Sequence, residues 1–151
     1  MTPTLWGRWQ TRVFLNVFFG VPAIALAMAI FDQYSKPVDR LEFWHMPYLL
    51  LYMTGIGLAL DVVYIALQKL RWDRDWPPAF QWLFGLAEGG LVLALSLNDL
   101  LPNVTHCDDD LTQFPVAYLM MFVPAVFFLF GPMKVLFPRW RFSGGQLIGG
   151  I

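Results

Sequence analysis

Four long apolar runs leave this chain little choice of fold. They cover roughly 13–31, 47–70, 79–101 and 115–137. Each is long enough to cross about 30 Å of hydrocarbon at about 1.5 Å per residue. Of the 151 residues, 58% are hydrophobic and 14% charged, too little polar surface to cover a soluble core. The expected fold is an all-α integral membrane protein, a single transmembrane domain over 1–151 with four transmembrane helices. Spans two and three form an antiparallel hairpin, with short interfacial segments at both ends.

The flanks suggest an orientation. Arg8 and Arg12 precede the first run and Ala25-Leu26-Ala27 lies near its end, a pattern shared with cleaved leaders. The length of the run favours a retained helix. Arg8, Arg12, Lys69, Arg71, Arg74, Lys134, Arg139 and Arg141 fall on one side of a four-span topology, and only Lys36 and Arg40 on the other. Both termini are therefore expected in the cytoplasm, in a bacterial inner membrane. All seven tryptophans lie at or near span ends, where an amphipathic ring suits the headgroup layer. Arg8, Trp9 and Arg12 in LWGRWQTR, and Arg139, Trp140 and Arg141 in FPRWRF, read as interfacial lipid anchors. The glycines after Phe142 suggest a flexible tail unless a partner holds it. Pro22 and Pro124 are expected to bend their helices.

Two acids lie deep within spans. Asp61 is nine residues before Leu70 and Glu88 nine residues after Ala79, so each sits about 13 Å below the same surface. The numbers of the pair Gln68 and Gln81 add to the same total as those of Asp61 and Glu88. A hairpin turning near 74–75 therefore brings both pairs to matched depths. Thr54, Gly57, Tyr64 and Gln68 share a helical stripe with Asp61, as Gln81 and Gly85 do with Glu88. Gly85 and Gly89 form a GxxxG, and Gly90 with Ala94 repeats small-xxx-small, spacings that admit a close helix neighbour. An acid at this depth costs a few kcal/mol unless neutralised or paired, and the apolar runs contain no Lys or Arg near these depths. Three resolutions are open: protonated acids sharing hydrogen bonds, a water-filled path for protons or cations, or a group from another subunit. Tyr64 is placed to hydrogen-bond either acid.

On the opposite side, His45, His106 and Asp108 include metal-ligand types, but no repeated Cys/His spacing frames them. Their placement also disfavours a bis-histidine haem. Cys107 is the single cysteine, so no internal disulfide forms. No nucleotide, metalloprotease or hydrolase motif is present, and the dispersed basic residues do not suggest nucleic acid. No cofactor is expected from motifs; bound lipids or pigments suit such a surface.

The leading functional expectation is a non-catalytic integral subunit of a larger membrane assembly, contacting lipids and other membrane subunits. Two alternatives stand beside it. One is a small self-associating proton- or cation-coupled transporter using Asp61 and Glu88. The other is a membrane redox or metal protein using His45 and His106.

Overall fold

The computed structural model describes residues 4–34, 45–70, 78–102, 104 and 110–148. Helix α1, Leu5–Leu15, begins at Thr4, whose hydroxyl accepts the Gly7 N–H at 3.1 Å, satisfying one of the donors a helix start leaves open. A π-helical turn, Asn16–Gly20, joins it to α2, Val21–Tyr34. The Val21 N–H reaches the Asn16 carbonyl across this wide turn. Pro22 follows directly. In a regular helix its ring would press on the carbonyl four residues back, and the widened turn gives the slack that avoids this. The first helical rod thus starts at Leu5, well before residue 13, because the boundary expected from hydropathy excluded a polar but helical stretch.

Helix α3 covers His45–Leu70 and α4 Pro78–Leu97. The expected end of span three at 101 is corrected to Leu97. There Asn98 Nδ2 donates to the Ala94 carbonyl at 2.7 Å and Asp99 turns the chain at φ 53°, a region in which short polar side chains are tolerated. Helix α5, Asp110–Phe130, continues through Pro115 and Pro124. It stops before Gly131-Pro132, and α6, Pro132–Leu136, and α7, Pro138–Phe142, follow. The expected fourth run to 137 is therefore broken at Gly131, where a proline starts a new helix. The loop between spans two and three lies outside the described residues.

Among the described residues there are helices and no strands. Three helices are long and apolar enough to cross a membrane, Leu5–Ile30, Pro47–Leu70 and Ala79–Leu97; Phe114–Phe130 is a shorter apolar helix. The first rod touches α3 and α5, α3 touches α4, and α4 touches α5, which closes a ring of four helices. The outside of this ring is apolar, and four polar residues are buried among the apolar side chains of its interior. Val17, Leu51, Leu83 and Phe127 are exposed on its outside, whereas Asp61, Gln68, Glu88 and Ser96 are buried inside. Outward apolar and inward polar residues are what a lipid solvent selects. The half of the bundle away from the C-terminal tail is dry. Ala23, Ala27, Leu49, Val92, Phe114 and Ala117 pack there, with small residues on α2 allowing close approach.

Candidate functional site

In the other half, the first rod supplies an inward stripe: Gly7, Arg8, Thr11, Arg12 and Leu15 from α1 and Asn16 from the π-helical turn all line one cavity. Steps of three and four residues keep them on one side of the helix. Arg12 is the hub. Its Nε donates to Asp61 Oδ2 at 2.8 Å, its Nη2 to Asp61 Oδ1 at 3.1 Å, and its Nη1 to Glu88 Oε1 at 2.6 Å. Arg8 adds a second cation, its Nε and Nη2 both 3.1 Å from Asp61 Oδ1. Asp61 is 2% exposed. Two guanidinium groups and two carboxylates thus tie α1, α3 and α4 together with no net charge. The planar fork of arginine suits this two-point grip on a carboxylate. Gly57 makes the space: a Cβ there would collide with Arg12 Nη1 and come within 2.5 Å of Glu88 Oε1.

Two expectations are corrected here. Arg8 and Arg12 are not lipid anchors, and the acids do have basic partners within the bundle. The helix begins at Leu5, so both arginines are helical and one turn apart, and their long stems carry the charge inward rather than out to the surface. Trp9 also turns onto the bundle, its Nε1 donating to the Leu58 carbonyl at 3.2 Å. Asp61 and Glu88 meet through Arg12, as residues at equal depth on adjacent helices. Tyr64 places its ring under the Arg8 guanidinium, 5.6 Å from the centroid, and packs on Phe84 at 4.6 Å. Its part is thus a cation–π contact. Thr54 accepts a 2.9 Å hydrogen bond from Asn16 Nδ2. Gln68 is buried. Gln81 Oε1 is also buried, yet has no hydrogen-bond partner among the described residues.

The glycine surface is covered from within the chain. A Cβ on Gly89 would come within 2.6 Å of the Tyr118 ring, and one on Gly85 would overlap Phe122. Tyr118 donates its hydroxyl proton to the Gly85 carbonyl at 2.5 Å and stacks on Phe122 at 5.4 Å. The close neighbour of Gly85 and Gly89 is therefore α5. Gly90 faces open space and Ala94 is exposed. His106 and Asp108 lie outside the described residues, and only the backbone of His45 and Arg141 is described.

The tail is not free. Gly144 O accepts the Thr4 N–H at 2.9 Å, and Gly145 O accepts the Thr11 hydroxyl at 3.1 Å. Trp140 Nε1 donates to Thr11 Oγ1 at 2.7 Å, and the Leu147 and Ile148 amides donate to Gln10 Oε1 at 2.8 and 3.2 Å. Gly7 lets this backbone lie against α1, since a Cβ there would be 2.7 Å from the Gly145 carbonyl carbon. Trp140 is thus seated on α1 rather than serving as a lipid anchor, whereas Arg139 stays exposed. The tail's glycines allow close docking over 143–148, and residues 149–151 lie outside the described residues.

The cavity has a volume of about 230 Å³. The charge tetrad, Tyr64 and Gln81 form part of its wall; Met53, Phe84, Met121, Phe122 and Leu129 form an apolar part, and Trp140 and Gly145 bring the tail to it. No family model, curated protein or solved structure matches this chain. The site must therefore be read from its own chemistry. Arg8, Arg12, Asn16 and Tyr118 were not singled out as parts of a polar site from the sequence. The available signal was the four-residue step from Arg8 to Arg12 to Asn16, which continues a polar stripe into the first apolar run.

Proposed function

We propose that this chain is an integral membrane protein that holds a small amphipathic molecule in the cavity between its helices. In this reading α5 makes the fourth crossing, and both termini share the cytoplasmic side. The observation that carries it is a cavity of about 230 Å³ lined by the four charged residues, by apolar side chains and by Gln81, whose amide oxygen is buried and unpartnered among the described residues. Ligand sites are mostly apolar concavities with a few converging polar groups, often between the helices of a bundle. An idle cavity leaves its lining side chains short of packing contacts.

The role of non-catalytic subunit drew on unpaired acids and a vacant glycine face. Arg12 meets the acids and α5 meets Gly85 and Gly89, so that role rests on the chain's small size, the absence of catalytic motifs, its aromatic-basic ends and the open Gly90–Ala94 face. A proton or cation path would use the same cavity, but Asp61 and Glu88 are both held by Arg12.

The test is to purify the protein in lipid nanodiscs, extract it with solvent and analyse the extract by mass spectrometry. One small non-lipid molecule near equimolar amount is expected from the native protein, and none from Ala125→Leu, which fills the cavity wall. Identical extracts from the two proteins would overturn the reading.

A further inference from the structure

We infer that the cavity selects a neutral, single-ring molecule bearing a hydroxyl group, of the phenol or hydroquinone class. This rests on the ligand-holding reading above and adds three constraints, from charge, size and hydrogen bonding.

Charge comes first. Arg8, Arg12, Asp61 and Glu88 already sum to zero, and their contacts run from 2.6 to 3.1 Å. A charged ligand would add an uncompensated charge about two helical turns inside the bundle, where desolvation costs several kcal/mol. A neutral ligand leaves the tetrad intact.

Size comes second. A dry engineered cavity of about 150 Å³ takes up benzene. This cavity, at about 230 Å³, has room for one substituted ring. Phe84 and Phe122 offer ring faces or edges and Met53 and Met121 offer thioethers; both favour an aromatic guest.

Hydrogen bonding comes third. Gln81 Oε1 is buried without a partner among the described residues, and such an atom costs about 1–3 kcal/mol until it is met. A ligand hydroxyl donates to it once the Gln81 side chain turns its oxygen into the cavity. If the amide is turned the other way, the same hydroxyl accepts from the NH₂. At the tetrad, Arg12 uses three of its five N–H groups on the two acids. The lining therefore offers a ring both polar groups and apolar side chains.

The experiment uses the full chain in phosphatidylcholine nanodiscs, with empty nanodiscs as the baseline for partitioning into lipid. Hydroquinone, toluene, benzoate and benzylammonium are titrated and followed by saturation-transfer NMR. Hydroquinone is expected to bind at least about ten-fold tighter than the other three. In Gln81→Met, which keeps the side-chain shape, hydroquinone should fall to the level of toluene. Retained toluene binding would show that the variant's cavity is intact. If toluene, benzoate or benzylammonium matches hydroquinone in the native protein, the ligand class is wrong while the cavity remains a binding site. If no probe binds above the empty-nanodisc baseline, the ligand-holding reading itself falls. If Gln81→Met still prefers hydroquinone, Gln81 is not the selecting group and the inference is overturned.

Discussion

The two halves of the bundle use the same helices and opposite means of holding them together. Away from the tail, Ala27 and Val92 are fully buried. The void bordered by Leu49, Phe114 and Ala117 is only about 10 Å³, barely room for one water. At the tail end the cavity is about 230 Å³, and four charges stand where the far half has methyl groups. In lipid, helices gain little from apolar burial and associate through close contact and hydrogen bonds. The dry half uses contact. The charged half gives up contact for space and replaces it with ionic geometry. A fold that departs from close packing in one region commonly does so at a functional site.

The largest effect expected from breaking this contrast is at Asp61. Asp61→Ala leaves Arg8 without its carboxylate and Arg12 with Glu88 alone. Removing one member of a buried ionic set costs about 3–5 kcal/mol. Leu49→Ala, in the dry half, should cost about 2–3 kcal/mol through the cavity it leaves. Both are measured by unfolding in mixed micelles with increasing dodecyl sulfate. If Leu49→Ala proves the more damaging, the charged half is not held by its ion pairs, and the contrast between the halves fails.

How much of this was legible follows from how each feature is encoded. The equal depth of Asp61 and Glu88 is arithmetic on a hairpin and needs no tertiary knowledge. The close approach at Gly85 and Gly89 is legible as spacing, but its partner is not. Tyr118 and Phe122 are ordinary residues of an apolar run until α5 is placed against α4. Arg8 and Arg12 were misplaced for a physical reason. Hydropathy ends a span at the first charge, and long basic side chains near an end usually reach outward. Here two carboxylates lie inward within their reach and reverse the preference. The tail was least legible, because apart from Trp140 it docks through backbone groups of Gly144, Gly145, Leu147 and Ile148, which leave no side-chain signature.

That docking gives a smaller and more local prediction. Gly7→Ala adds a methyl group that would sit 2.7 Å from the Gly145 carbonyl carbon. Overpacking of this kind costs about 1–3 kcal/mol, and the better helix propensity of alanine offsets up to about 1 kcal/mol. The net global loss should be about 1 kcal/mol. The amides of Leu147 and Ile148, which donate to Gln10, should exchange with deuterium much faster. Unchanged protection of these two amides would mean that the tail does not depend on Gly7 for its seat.

The smallest expected change in stability comes from the most drastic substitution, and it separates glue from function. Arg8→Met, Arg12→Met, Asp61→Leu and Glu88→Leu together remove the whole tetrad at once. Replacing a complete buried ionic set by apolar residues of similar volume is often neutral or stabilising, and in lipid the desolvation saved is larger still. The fourfold variant should therefore unfold within about 1 kcal/mol of the native protein, or later. If the charges only fasten helices, its toluene and hydroquinone binding should resemble the native pattern. If they also set the polarity of the cavity, hydroquinone should lose most of its advantage over toluene, even with Gln81 still present. Retained stability with lost discrimination would assign the tetrad to recognition. Lost stability instead would return it to fastening α1, α3 and α4.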